Sequence, residues 1–197
     1  MKKHFRYYAI AIIAVFTILT QGCKKKEKDP YANEKGNYFS VRQFAIDEWN
    51  THSGEPFTLT KTTRVNDNLV DSTTTTSDTL NWGKIFHLFF ETDISDRSFL
   101  GQYKFNQFDD NADETHNFYY EANPEDDELF TRKLLLSINQ YNQRVKGIYI
   151  EALKKTIMGE TTYKLFYKPL NTIQIQTIEK PVLGSKKHTV VEYTFNR

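Results

Sequence analysis

Cysteine is nearly missing from this chain: Cys23 is the single one in 197 residues. That leaves no intrachain disulfide, and the fold must hold itself together by its core. An excess of charge of one sign is missing as well. The 26 basic and 25 acidic residues nearly cancel, which leaves no electrostatic footprint for nucleic acid. Long apolar runs are absent beyond a twelve-residue stretch at 9–20, shorter than the roughly 20 residues a bilayer-spanning helix needs. No HExxH pair, GxSxG elbow, phosphate-binding glycine loop or dinucleotide fingerprint occurs.

What is present begins with an export signal. Residues 1–6, Met-Lys-Lys-His-Phe-Arg, form a basic segment ahead of the apolar stretch. Where that stretch ends stands Leu19-Thr20-Gln21-Gly22-Cys23. This pentapeptide resembles the lipobox of bacterial lipoproteins, in which a small residue precedes the cysteine. Thr20 and Gln21 depart from the usual small aliphatic residues. The resemblance implies a diacylglyceryl thioether on Cys23, cleavage after Gly22 and a membrane-anchored protein of the bacterial cell envelope, the outer membrane favoured over the inner. An acylated Cys23 is neither a nucleophile nor a thiolate ligand. Without residues 1–22, 23 basic residues face 25 acidic ones.

The expected organisation is a signal peptide over 1–22, a disordered tether over 23–37 and one domain over 38–197. The tether opens Lys24-Lys25-Lys26-Glu27-Lys28 and contains Pro30 and Gly36. A coil of that length spans on the order of 20 Å, and its lysines suit anionic headgroups. The acidic stretch that directs some lipoproteins to the cell exterior has no counterpart in this lysine-rich segment.

Aromatics make up 15% of the chain and, with the many Thr, Ile and Val, favour strands and a Phe- and Tyr-rich core. A first helix is signalled by Ser40 as N-cap, Gln43 three residues on, and Phe39 and Phe44 placed as a hydrophobic staple. Gly54 and Pro56 end it. Residues 57–78 read as two strands around Asn66-Asp67-Asn68, the second carrying an exposed Ser/Thr run at 72–77. A second helix follows from Trp82, Ile85, Phe86, Phe89 and Phe90, spaced i, i+3, i+4, i+7, i+8. From Tyr103 on the period is two, predicting strands at 103–108, 117–122, 130–138, 145–153, 161–168, 172–179 and 188–195.

Short links between sequential strands require antiparallel hairpins. The expected fold class is α+β: a curved antiparallel β-sheet meander with two helices packed on one face. The element order is similar to the cystatin-like, nuclear-transport-factor-like cone. The meander is similar to the open half-barrel of lipoprotein carriers.

Candidate sites are few. The face formed by Trp82, Ile85, Phe86, Phe89 and Phe90 either lines a ligand cavity or fills a core. Ser72 and Thr79 lie in Asp-Ser-Thr and Asp-Thr-Leu tripeptides resembling an O-glycosylation acceptor of exported bacterial proteins. Residues 109–114, Asp-Asp-Asn-Ala-Asp-Glu, start like a calcium loop but lack its sixth-position glycine and twelfth-position glutamate. A solvated turn is the better reading. The acidic residues 125–128 likewise read as a turn. His52, His87, His116 and His188 show no paired-ligand spacing. No cofactor, metal site or catalytic residue is expected.

The function expected from these features is a non-enzymatic, membrane-anchored binding module. Its partners are membrane lipid through Cys23 and an apolar ligand or an envelope protein, not nucleic acid. The alternative is a structural or interaction lipoprotein of an envelope complex with a fully packed core. A hydrolase ranks third.

Overall fold

Alternating apolar residues from Tyr103 onward build most of one nine-stranded sheet in the computed structural model. The structure describes residues 38–124, 126 and 128–196. Cys23 and the expected signal peptide and tether lie outside the described residues. Helix α1 (Val41–His52) comes first, then β1 (Thr58–Val65) and β2 (Asn68–Thr76). Two short helices follow, α2 (Trp82–Ile85) and α3 (His87–Glu91). The remaining strands are β3 (Tyr103–Asp110), β4 (Thr115–Ala122), β5 (Thr131–Asn139), β6 (Val145–Thr156), β7 (Gly159–Lys168), β8 (Thr172–Pro181) and β9 (Lys187–Asn196).

All neighbours are antiparallel, in the order β2-β1-β9-β8-β7-β6-β5-β4-β3. The fold is thus sheet-dominated. The meander β3–β9 has the expected strands, and its last strand takes the N-terminal hairpin alongside: Thr58 pairs with Asn196 and Val65 with Thr189. The β1–β2 turn sits at Asn66 and Asp67, both at positive φ, 46° and 68°, the conformation two-residue hairpins favour. Residues 72–76 of the Ser/Thr run lie in β2, mostly exposed on the sheet's edge, where polar side chains discourage pairing with other chains.

At α1 the Ser40 side chain accepts a 3.1 Å bond from the Gln43 amide, and the Phe39 and Phe44 rings meet at 5.7 Å. The capping box closes only halfway, because Gln43 turns its amide to Asp47 at 2.8 Å. Asp93 takes part instead, its carboxylate accepting from the Ser40 hydroxyl at 2.8 Å and the Arg42 amide at 2.7 Å.

The single helix expected through Trp82 and Phe90 is corrected to two short ones. They meet at Phe86, whose backbone sits at φ −89° and ψ 3°. Phe86 is fully buried, with the rings of Trp82, Phe89 and Tyr167 at 4.4, 5.0 and 5.0 Å. Packing from several sides overrides the i, i+4 register at this residue.

The core sits on the face of the sheet that carries Tyr167. Leu134 pairs with Ile150 and Ile150 with Leu165. Leu136, Ile148, Tyr167 and Ile173 form the adjoining row. All seven are buried, as are Val41, Ala45, Trp82, Phe86 and Phe89, which belong to the same cluster. Each such large side chain contributes about 1.5–3 kcal/mol.

Candidate functional site

The aromatic face of α2 and α3 divides between core and surface. Trp82, Ile85, Phe86 and Phe89 are all less than 9% exposed, and the Trp82 indole donates to the Ala45 carbonyl at 3.0 Å. These four are core residues. Phe90 is half-buried, with the Arg42 guanidinium 5.6 Å over its ring. It lines a groove of about 560 Å³ with Ile46, Trp49, Leu80 and one edge of Trp82.

Helix α3 ends at Glu91. A cleft of about 570 Å³ lies there, lined by Glu91, Glu128, Phe130, Leu153, Lys154, Lys155 and Tyr163. The Phe130 and Tyr163 rings meet edge to face at 5.8 Å. Phe130 is brought to this place by the start of β5: its carbonyl accepts from the Leu153 amide at 2.8 Å, beside a bulge between Thr131 and Lys133. Tyr163 pairs with Ala152 across β6 and β7. Glu91 is fixed by the turn after it. The buried Thr131 hydroxyl donates to the Thr92 carbonyl at 2.9 Å, and the Thr92 hydroxyl donates to Phe89 at 3.0 Å.

The cleft has an apolar floor and a rim with both charge signs. Burial raises the Tyr163 pKa, and the carboxylates of Glu91 and Glu179 raise it further, so the phenol stays neutral. Volume and lining fall within the range of small-molecule sites, which combine apolar walls with a few convergent polar groups. The rim can hold an ionic head of either sign while the rings hold an apolar body. The sequence signalled Tyr163 and Phe130 only as strand residues; their meeting depends on the bulge and on α3 ending at Glu91.

The sheet's other face carries a second grouping. Tyr119, Leu135, Tyr149 and Phe166 form one cross-strand row, and Glu121, Lys133, Glu151 and Lys164 the next. The Tyr149 hydroxyl donates to Glu151 at 2.6 Å, and Lys133 lies 3.5 Å from the same carboxylate. Burial pushes the Glu151 pKa up, but the Tyr149 bond, Lys133 and Lys164 outweigh it and leave it below its ordinary value. Tyr149 is raised by burial and by its bond to Glu151, and Lys133 is raised chiefly by Glu151.

Ser72 and Thr79 are both exposed. Ser72 lies on β2 opposite Thr62, and the Thr79 hydroxyl donates to the Thr76 carbonyl at 3.1 Å. In the 109–114 turn, Asp110 accepts from the amides of Ala112 and Asp113 at 2.9 and 3.1 Å. His52, His87 and His116 pair separately with Glu55, Glu91 and Asp109. His188 lies apart on β9. Among the described residues the histidines therefore do not converge. Among the described residues no group of three or more His, Cys, Asp or Glu side chains could hold a metal ion, and no helix is long and apolar enough to cross a membrane. Comparison with protein-family models, with curated proteins and with solved structures finds no match.

Proposed function

We propose that this protein is a lipid-anchored binding module of the bacterial cell envelope, held by acylated Cys23, that takes an apolar ligand with an ionic head. In this reading the helical segments cover the Tyr167 face of the sheet, and the ligand enters where that cover stops. The cleft of about 570 Å³ floored by Phe130 and Tyr163 is the observation that carries it. No catalytic step is assigned to it.

Native mass spectrometry of the protein gently extracted from its own membrane tests both parts. An added small-molecule mass, lost in Phe130→Asp, supports the ligand. A wild-type mass explained by polypeptide and acyl chains alone removes it. Cys23→Ser should accumulate as unprocessed precursor, and normal processing of that variant refutes the anchor.

A second reading has its own support. Phe166 is 39% exposed beside the half-buried Tyr149 and Leu135, a row that fits an envelope protein partner docking on the Tyr149 face. A partner that co-purifies with wild type and is lost with Phe166→Glu, while the small-molecule mass is unchanged, would favour it.

A further inference from the structure

Among the described residues, four of the five most exposed large apolar side chains are gathered at one end of the sheet; the fifth, Tyr141 at 76%, stands in the β5–β6 turn at the other end. Ile157 and Met158, in the β6–β7 turn, are 95% and 76% exposed. Val182 and Leu183, in the β8–β9 connection, are 71% and 89% exposed. The two hairpin ends are joined: the Val182 amide donates to the Met158 carbonyl at 3.0 Å. Gly159 makes that closeness possible. It lies at φ 142°, and a Cβ there would stand 2.7 Å from the Pro181 Cα.

This tip projects. Thr131 at the start of β5 pairs with Ala152, while β6 and β7 run on together to Thr156 and Gly159. The tip is also basic. Segments 154–161 and 179–187 hold five lysines against two glutamates. Those two are already met by lysines of the same segments, Glu160 by Lys180 at 2.8 Å and Glu179 by Lys187 at 3.9 Å. The described chain begins at this end of the sheet too. The Tyr38 hydroxyl contacts the Tyr103 carbonyl, and Tyr103 pairs with Ala122 at the terminus of β4, the end from which β5 sets out.

We propose that the paired hairpin ends 156–159 and 181–185 insert their four apolar side chains into an anionic bilayer surface, with the surrounding lysines on its headgroups. Apolar side chains 71–95% exposed on a projecting element, in segments that carry five lysines, match the two attractions a membrane surface offers. An apolar protein partner would account for the exposed side chains but not for the excess of lysines beside them. The tip docks whether or not the neighbouring cleft holds a ligand.

The test uses the full chain carrying Cys23→Ser, so that one introduced thiol can bear an environment-sensitive fluorophore. Labels go on Leu183→Cys or Ile157→Cys at the tip and on Asn142→Cys in the β5–β6 turn at the other end. Vesicles contain phosphatidylglycerol and phosphatidylcholine with nitroxide-bearing acyl chains. The N-terminal apolar segment can bring every variant to the vesicle, so the readout is the depth of each label. Tip labels should shift to the blue and be quenched while the Asn142 label stays in water. Each additional Lys→Gln change at 186 or 187 should lower the insertion equilibrium about fivefold. Tip labels that stay in water overturn the proposal. So does insertion equally strong in vesicles of phosphatidylcholine alone. Shielding of the tip label without vesicles, growing with protein concentration, overturns it in favour of a second copy of the chain.

Discussion

On β6, Ile148 and Ile150 are buried, while Tyr149 and Glu151 between and beside them are half-buried. The same alternation runs through β5 and β7. Leu134, Leu136, Leu165 and Tyr167 point to one side, and Lys133, Leu135, Lys164 and Phe166 to the other. One face is held by burial among Phe86, Phe89 and their neighbours. The other is held by cross-strand pairs, chiefly the Tyr149–Glu151–Lys133 contacts. Burial is worth several kcal/mol per large side chain and is insensitive to pH; screened pairs are worth about 1 kcal/mol or less and titrate. The two faces therefore differ in what breaks them.

The sharpest break is Phe86→Ala. Phe86 is fully buried among three rings, so its loss should cost about 3–5 kcal/mol, read as a lower denaturation midpoint at unchanged m-value. Trp82→Phe is milder. It keeps most of the apolar volume but leaves the Ala45 carbonyl without its indole donor, an expected loss of about 1–3 kcal/mol. Hydrogen exchange should show the loosening at Ala45 and its neighbours in α1.

The strands were legible because their cores alternate at period two and their turns are short. In β8, Ile173 and Ile175 fall on one face and Gln174 and Gln176 on the other, as the pattern required. The Ser40 cap and the Phe39–Phe44 staple were legible for the same reason: they are local. The division at Phe86 was not, because it is imposed by Tyr167, eighty-one positions away in sequence. Nor was the role of Asp93 at the α1 N-terminus, which depends on a contact across 53 residues. The cleft was legible least. Its floor joins Phe130 to Tyr163 through a bulge between Thr131 and Lys133, and a bulge leaves no mark in a pattern of alternating apolar residues.

Glu151→Gln tests the second face through pH. The folded carboxyl has a pKa below its ordinary value. Its contribution is present above the unfolded carboxylate pKa and is lost as pH falls through the folded one. Wild type should therefore exceed the variant by about 1 kcal/mol near pH 7, solvent screening limiting the gain at this half-exposed site. The difference should close in acid. Paired denaturation curves at neutral and acid pH read it directly, and a gap that persists in acid would mean that packing, not charge, holds this row.

Phe166→Ser should do far less than Phe86→Ala. Phe166 is on the same strand as Leu165 and Tyr167, but it is 39% exposed while they are buried. Part of the side chain already lies in water, so its removal should cost about 1 kcal/mol, well below the cost of Phe86→Ala. The smallness is what gives the measurement its use. If Phe166→Ser destabilises the protein as Phe86→Ala does, the Tyr149 face is covered in solution, and a surface offered to a partner becomes a surface already filled. Repeating the denaturation over a hundredfold range of protein concentration then separates the two ways of filling it. A cost that grows with concentration identifies a second copy as the cover, and a cost independent of concentration places Phe166 within the core of its own chain.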